Sequence, residues 1–140
     1  MEFYESTSTI SATPETVWAV LVDSASWPSW DSGVVKVDGT IAPGAKITIR
    51  SSAAADRAFP VKVVEFEPGK RLVFSGGMPL GLFRGVRTYT LTAQGSSTVF
   101  HMREEYTGAM LGAIWKSMPD LQPSFDTFAA GLKKRVESGA

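Results

Sequence analysis

The chain opens with an alternation of side chains that predicts a β-strand ending near Ser11. One side of this strand carries Phe3, Glu5, Thr7 and Thr9, and the other carries Tyr4, Ser6, Ser8 and Ile10. Thr13-Pro14-Glu15 follows, with a capping hydroxyl, a proline for the first helical position and an acid for the first turn. A helix with Val17, Trp18, Leu21 and Val22 at helical spacing is therefore predicted, then a second short helix, capped by Asp23-Ser24, with Trp27 and Trp30.

After Gly33 the pattern predicts closely spaced strands separated by turn residues. Asp38-Gly39, Pro43-Gly44 and Pro68-Gly69 are the turn signals, and the short spacing favours an antiparallel meander. The predicted strands are Val34 to Val37, Lys46 to Ser51, Phe59 to Phe66, Arg71 to Ser75, Phe83 to Thr92 and Ser97 to Thr107. Ala93-Gln94-Gly95-Ser96 joins the last two as a hairpin.

The C-terminal part has the apolar spacing of a long helix, with a shorter helix predicted around Ala109 to Ser117. Asp120 is the predicted N-cap, and the apolar stripe is Leu121, Phe125, Phe128, Leu132 and Val136. To bury this stripe, the helix must lie across a strongly bent antiparallel sheet. The pattern predicts an α+β fold in which a curved sheet around one helix can leave a space between them.

Composition narrows the function classes. The 140 residues allow a single domain over residues 1–140, and 14 basic against 14 acidic residues give no net charge to attract nucleic acid. With no cysteine and one histidine, we expect neither a metal site nor a cofactor that depends on such ligands. No basic leader and no stretch of about 18 apolar residues is present, which predicts a cytoplasmic protein without an integral membrane segment.

Six motifs follow one another in a particular order and spacing: Pro14 to Asp23, Trp27-Pro28-Ser29-Trp30, Val64 to Phe74, Gly85 to Leu91, Glu104 to Gly108 and Leu132 to Glu137. In these motifs, and over nearly its whole length, the chain resembles the SRPBCC superfamily, which includes the START, polyketide cyclase/dehydrase and Bet v 1-like proteins. The resemblance implies a helix-grip fold with about six or seven strands around the C-terminal helix and a deep, mostly apolar cavity between them. Members bind or transport lipids and other hydrophobic molecules, and some catalyse polyketide cyclisation or dehydration.

The predicted hairpin carries the candidate catalytic residues Arg87, Tyr89 and Glu104. Alternation places Arg87 and Tyr89 on the same face as Phe100, Met102, Glu104 and Tyr106. A turn at Gln94-Gly95 pairs Arg87 with Met102, whereas a turn at Gly95-Ser96 pairs Arg87 with Glu104. Because one buried charge alone is costly, we expect an ion pair, either structural or anchoring a ligand. His101 falls on the opposite face and is interpreted as a surface residue.

Gly76 to Phe83 is predicted to be an unusually apolar loop, which either covers one end of the core or forms a mobile lip at a cavity mouth. Aromatic residues near helix ends allow the same two interpretations, as core or as cavity wall. The complete set of predicted ligand-contacting residues is Trp27, Trp30, Phe74, Met78, Phe83, Arg87, Tyr89, Phe100, Met102, Glu104, Trp115, Met118, Phe125 and Phe128.

Three functions are consistent with these patterns. The first is binding, transport or sequestration of a small hydrophobic or aromatic molecule with one polar anchor. The second is a cyclase or dehydratase in which Arg87 polarises a carbonyl and Glu104 or Tyr89 moves a proton. The third is an interaction module similar to the Hsp90-activator domain, with its interior filled by side chains. Either a monomer or a homodimer is compatible with the sequence.

Overall fold

A computed structural model describes residues 1–52 and 58–139 and confirms the helix-grip α+β fold. A curled antiparallel sheet of seven strands runs in the order β1-β7-β6-β5-β4-β3-β2. Its strands are β1 (Glu2–Ile10), β2 (Val34–Asp38), β3 (Lys46–Ser51), β4 (Phe59–Glu67), β5 (Arg71–Met78), β6 (Phe83–Gln94) and β7 (Ser97–Thr107). Because β1 pairs with β7 rather than β2, the first and last strands lie together beside the C-terminal helix.

The helices are α1 (Pro14–Leu21), α2 (Leu111–Ser117) and α3 (Gln122–Glu137), and a 3-10 turn, Ser24–Ser29, follows α1. The predicted capping of α1 is confirmed, since the hydroxyl of Thr13 accepts a hydrogen bond from the Thr16 amide at 3.3 Å. Asp120 caps α3 from one position further out than predicted, with its carboxylate accepting from the Gln122 amide at 3.0 Å. In the described parts of the chain, no helix is long and apolar enough to cross a membrane.

Two local predictions are wrong. Gly76 to Met78 belong to β5, because these residues pair with Phe83 to Gly85 of β6; the predicted apolar loop is therefore the far end of a long hairpin. A 3-10 turn, Pro79–Gly81, closes that hairpin. Asp23 precedes the turn that carries Trp27, but its side chain makes no capping hydrogen bond.

The apolar stripe of α3 packs on the concave side of the sheet, as predicted: Phe125, Phe128, Leu132 and Val136 are buried, and Leu121 is partly buried. Small side chains on β1 allow the helix to approach closely. Ser8 donates to the Ala129 carbonyl at 3.0 Å, and Ser6 donates to the Asp126 carboxylate at 2.8 Å. The helix therefore lies over the β1 side of the sheet.

A glycine lets α3 contact the segment after the 3-10 turn. A methyl group added at Gly131 would overlap the backbone oxygen of Asp31, far inside van der Waals contact. Only glycine therefore fits at this helical position, which fixes the distance between α3 and the start of β2.

The outer edge of β1 is covered by side chains of α3. Gln122 donates to the Glu5 carbonyl at 2.8 Å, and Lys133 donates to the Thr9 carbonyl at 2.6 Å. Just beyond the strand, the Ser11 amide donates to the Glu137 carboxylate at 2.8 Å. Backbone groups that would otherwise lack a partner at a sheet edge are satisfied in this way.

Candidate functional site

The β6–β7 hairpin places the predicted charged residues opposite each other. Gln94 pairs with Ser97 around a Gly95-Ser96 turn, so the second of the two predicted registers is the one that forms. Gly95 has a φ of 61°, a left-handed conformation that glycine adopts without strain. Arg87 is therefore directly across from Glu104, and both face the concave side of the sheet with Tyr89 and Met102.

Arg87 and Glu104 form a short ion pair inside the sheet. The guanidinium Nε donates to Glu104 Oε1 at 2.6 Å, and the two side chains are 25% and 17% exposed. The ring of Phe125, from α3, lies 4.7 Å from the guanidinium carbon and shields the pair from above. One end of the pair therefore remains accessible while most of it is removed from water.

Gly85 makes room for the second carboxylate oxygen. A methyl group at Gly85 would lie 2.8 Å from Glu104 Oε2, which therefore rests against bare backbone. The ring of Tyr106 is the next neighbour of that position, at 3.5 Å. Glu104 thus uses one oxygen for Arg87 and holds the other close to Tyr106.

Two tyrosine hydroxyls near the ion pair are buried, and neither makes a hydrogen bond of good geometry with any described residue. These are the hydroxyls of Tyr89, which lies near Arg87, and of Tyr106, which lies near Glu104. A buried hydroxyl without a partner costs on the order of 1 to 3 kcal/mol, so most native structures avoid it. The site therefore holds unused hydrogen-bonding capacity.

Burial and the ion pair set the protonation of these groups. Burial raises the pKa of Tyr89, against the lowering effect of the Arg87 charge. Burial also raises the pKa of Tyr106, and the negative charge of Glu104 raises it further. Burial alone would lower the pKa of Arg87, but Glu104 and the two tyrosines outweigh it and raise that pKa. At neutral pH the site therefore contains a guanidinium cation and two protonated hydroxyls.

Aromatic rings form a wall beside the ion pair. Tyr4, which pairs with Glu104 across the β1–β7 ladder, stacks on Trp115 of α2 at 5.2 Å between centroids. Tyr106 contacts Trp115 at 5.4 Å and stacks on Phe83 at 6.0 Å. Tyr4, Phe83 and Trp115 are each partly exposed, so this wall, which we call the aromatic rim, lies at an accessible end of the sheet.

Half of the predicted ligand-contacting residues lie in a packed core. Tyr89 and Phe100 have 0% exposure, which leaves no water-sized space against either ring. Their aromatic neighbours interlock, with Phe128 5.7 Å from Tyr89 and Trp27 5.1 Å from Phe128. The predicted residues in this buried group are Trp27, Phe74, Tyr89, Phe100, Met102, Phe125 and Phe128. For these residues, contact with a ligand remains a prediction.

The other predicted residues are at least partly accessible but do not form one group. Phe83, Arg87, Glu104 and Trp115 come together at the aromatic rim, and Met118 immediately follows α2. Met78 is exposed at the outer end of β5. Trp30 lines a separate open groove of about 500 Å³ between the start of β2 and α3.

The structure also shows the position of His101, which lies outside the ion pair. His101 lies on the convex face, where its Nε2 is 2.8 Å from a Glu5 carboxylate oxygen, so its assignment as a surface residue is confirmed. Among residues 1–52 and 58–139, no three acidic or histidine side chains lie close enough together to hold a metal ion.

Sequence reasoning omitted three residues of the site. Tyr106 could have been included, because alternation along β7 places it on the same face as Glu104. Gly85 gives no signal of its own, since its role depends on where the Glu104 side chain turns. Tyr4 reaches the site only through the long-range pairing of β1 with β7, which local patterns do not reveal.

Comparison with known proteins agrees with this architecture. The family described as polyketide cyclase/dehydrase and lipid transport matches residues 1–137. No curated protein matches the chain.

Solved structures share the fold at low sequence identity. A hypothetical protein from Helicobacter pylori superposes with a TM-score of 0.78 at 14% identity, covering 96% of this chain and 88% of that one. A START superfamily protein from Mycobacterium smegmatis gives 0.71 at 14% identity, covering 99% of both chains. The di-domain ARO/CYC protein BexL of the BE-7585A biosynthetic pathway gives 0.71 at 18% identity, covering 98% of this chain and 47% of that one.

Proposed function

Since the chain belongs to the polyketide cyclase/dehydrase and lipid transport family, we propose that it binds a small hydrophobic molecule at the aromatic rim, with the polar group of that molecule held by Arg87 and Glu104. The observation that carries the proposal is the pair of buried hydroxyls, Tyr89 and Tyr106, that lie beside this ion pair without a hydrogen bond of good geometry. A bound polar group would supply those partners and recover the cost of burying them.

The charges of Arg87 and Glu104 favour one kind of polar group in the ligand. Glu104 already neutralises Arg87, so a carboxylate ligand would bring an uncompensated negative charge into a largely dry site. The Arg87 guanidinium can donate hydrogen bonds to a ligand, Glu104 Oε2 can accept one, and each tyrosine hydroxyl can do both. The ligand that matches this set is a neutral molecule, flat enough for the aromatic rim, that carries a carbonyl and a hydroxyl close together.

The packed interior supports a ligand position at the end of the sheet. Tyr89 and Phe100 leave no space beside them, whereas Phe83, Trp115 and the ion pair are partly exposed. A ligand at the rim therefore reaches the exposed side of the ion pair by displacing water. To contact the buried hydroxyls of Tyr89 and Tyr106, it requires covering side chains, such as Phe125 over the guanidinium, to move aside.

Two probes of similar size test the proposal. Quenching of tryptophan fluorescence by neutral 2-acetyl-1-naphthol and by anionic 1-naphthoate measures affinity, with a preference expected for the neutral compound. Tyr106→Phe removes one hydroxyl, and we expect it to weaken the neutral probe by about threefold to tenfold, the range of one hydrogen bond. His101→Gln, on the convex face of β7, is the matched control and should bind like the wild type. Equal affinity for both probes, unchanged in Tyr106→Phe, would contradict the proposed anchor.

The same geometry favours enzymatic activity as a second candidate function. Glu104 Oε2 lies over Gly85, close to Tyr106, while Arg87 is near enough to stabilise an oxyanion. In a cyclase or dehydratase, Glu104 would accept the proton from the carbon next to a carbonyl, and the electron pair left behind would form an enolate opposite the guanidinium. Both reaction types begin with such a proton transfer.

Deuterium exchange tests this chemistry without knowledge of the natural substrate. In D₂O, the methyl protons next to the carbonyl of 2-acetyl-1-naphthol should exchange faster with the protein than without it, as followed by NMR. Glu104→Gln should abolish the acceleration and retain probe binding. Binding without accelerated exchange would support the first function alone. Binding of no probe by the wild type would instead favour the interaction-module hypothesis, with which the packed interior is compatible.

A further inference from the structure

The turn between β5 and β6 carries an exposed leucine in a conformation that leucine rarely adopts. Leu80 is 94% exposed and has φ and ψ values of 61° and 24°. A left-handed conformation is unfavourable for residues with a branched apolar side chain and is favoured by glycine and asparagine. Neither the fold nor the solubility of the protein benefits from leucine at this position.

Two exposed methionines accompany Leu80. Met78 is the last residue of β5, and Met110 is held beside the turn because its amide donates to the Leu82 carbonyl at 2.8 Å. We call Met78, Leu80 and Met110 the apolar tip. It projects from the same end of the sheet as the aromatic rim, since Met78 pairs with Phe83. Apolar side chains that are exposed at one end of a sheet are suited to burial in an apolar medium.

Positive charge collects behind the apolar tip on the convex face. Lys46 and Lys62 are directly opposite each other on β3 and β4, an arrangement of like charges that destabilises a sheet. Lys62 pairs in turn with Ser75, whose hydroxyl accepts a hydrogen bond from Arg84 at 2.6 Å. All three cations are exposed, and we call them the basic band.

The charge and spacing of the two features match a lipid surface. Ser75 precedes Met78 by three residues, so the basic band lies roughly 10 Å behind the tip at the usual rise of a strand. That distance matches apolar side chains at the boundary of the acyl chains and cations at the headgroups. The sequence has no acidic residue from Pro68 to Arg103 or from Tyr106 to Pro119, the segments that build the tip.

We propose that this end of the protein docks on an anionic lipid bilayer, with the apolar tip inserted and the basic band against the headgroups. Docking in this orientation directs the aromatic rim toward the bilayer, because Met78 and Phe83 are cross-strand partners. The proposal concerns a surface and does not depend on whether Arg87 and Glu104 bind a ligand.

Cosedimentation with lipid vesicles tests the proposal. We expect the wild type to bind vesicles of phosphatidylcholine with about one third phosphatidylglycerol, and to bind pure phosphatidylcholine much more weakly. Leu80→Asn should reduce binding about tenfold, since it removes the inserted side chain. Asparagine tolerates the left-handed conformation, so the thermal midpoint should stay the same or rise. Val64→Asn, at another exposed apolar position, is the matched control and should bind like the wild type.

A double variant tests the contribution of the basic band to vesicle binding. Lys46→Gln with Lys62→Gln should weaken binding to the anionic vesicles by about fivefold per lysine and leave binding to the neutral ones unchanged. Absence of wild-type binding to anionic vesicles at low salt would overturn the proposal. Binding that needs the lysines but not Leu80 would also overturn it, since that result indicates electrostatic attachment to the headgroups without insertion of the apolar tip. Self-association lost in Leu80→Asn, seen by sedimentation velocity, would identify a second copy as the partner instead.

Discussion

Double substitution of the Arg87–Glu104 pair tests whether the two charges depend on each other inside the sheet. Arg87→Met and Glu104→Leu keep side-chain volume and remove one charge each. In either single variant the remaining charge is stranded under Phe125 and against the sheet, with only a quarter or less of its side chain exposed. We expect each single variant to lose about 3 kcal/mol of unfolding free energy, the lower end of the range for breaking a buried pair.

The structure sets the size of the expected coupling. With Nε and Oε1 at 2.6 Å, the centres of the two charges are roughly 4 Å apart, and an effective dielectric constant of about 20 gives an attraction of about 4 kcal/mol. The double variant no longer desolvates any charge, so it should lose about 2 kcal/mol, mainly from altered packing beside Phe125. Two single losses of about 3 kcal/mol and a double loss of about 2 kcal/mol leave a coupling of about 4 kcal/mol, equal to the attraction.

Urea unfolding at neutral pH measures all four proteins, with the linear extrapolation giving each free energy. A surface pair on the same sheet is the control: Arg71 Nε lies 3.0 Å from Glu65 Oε2, but these side chains are 43% and 45% exposed. Arg71→Met with Glu65→Leu should show a coupling of at most about 1 kcal/mol. If the Arg87 and Glu104 losses add, the pair is effectively solvated, and the reasoning about a dry site is refuted.

Three further predictions concern packing and pH. Gly131→Ala should destabilise the protein by about 2 kcal/mol or more, because the added methyl group meets the Asp31 carbonyl. Gly112→Ala, at an open position of α2, should instead stabilise the protein by about 0.5 to 1 kcal/mol. The midpoints of urea unfolding measure both effects. Leu132→Ala should cost about 2 to 5 kcal/mol of unfolding free energy, and a loss under about 0.5 kcal/mol would mean that this face of the helix is wrongly assigned to the core. Because the pKa values of Tyr89 and Tyr106 are raised in the folded state, their contribution to the unfolding free energy is fully present below pH about 10. As pH rises further, this contribution falls by about 1.4 kcal/mol per pH unit for each hydroxyl. In Tyr89→Phe and Tyr106→Phe, the unfolding free energy should therefore decrease less steeply with pH in the alkaline range.

Local sequence patterns were sufficient to predict most of the helices and strands, because one face of each is apolar. The spacing of Phe125, Phe128 and Leu132 identifies the buried face of α3, and alternation places Arg87 and Glu104 together inside the sheet. The register of the β6–β7 hairpin could be determined only from the structure, because both candidate turns contain Gly95 and both agree with the alternation of side chains. The end of β5 was missed because Gly76 and Gly77 look like loop residues, although glycine is needed at position 76, where an added methyl group would lie 2.8 Å from the Pro60 carbonyl oxygen.

The site itself was less predictable than the fold. A list of apolar residues on the inner face does not distinguish a cavity wall from a close-packed core, because both require the same side chains. Phe100 and Phe83 both belong to that list, yet Phe100 has no exposed surface and Phe83 is part of the accessible rim. Which ring meets solvent depends on how α2 and α3 cover the sheet, and this follows from long-range packing.

The covered edge of β1 has a consequence for how copies of the protein can associate. Strands from two molecules join only where backbone donors and acceptors are free, and on β1 the Glu5 and Thr9 carbonyls already accept hydrogen bonds from Gln122 and Lys133. A sheet continuous between two molecules must therefore grow from β2, at the opposite edge. That strand has only five residues, two of them charged, so it offers a short and polar template for misassembly. The contacts of α3 with β1 therefore also prevent the longer edge of the sheet from pairing with another molecule.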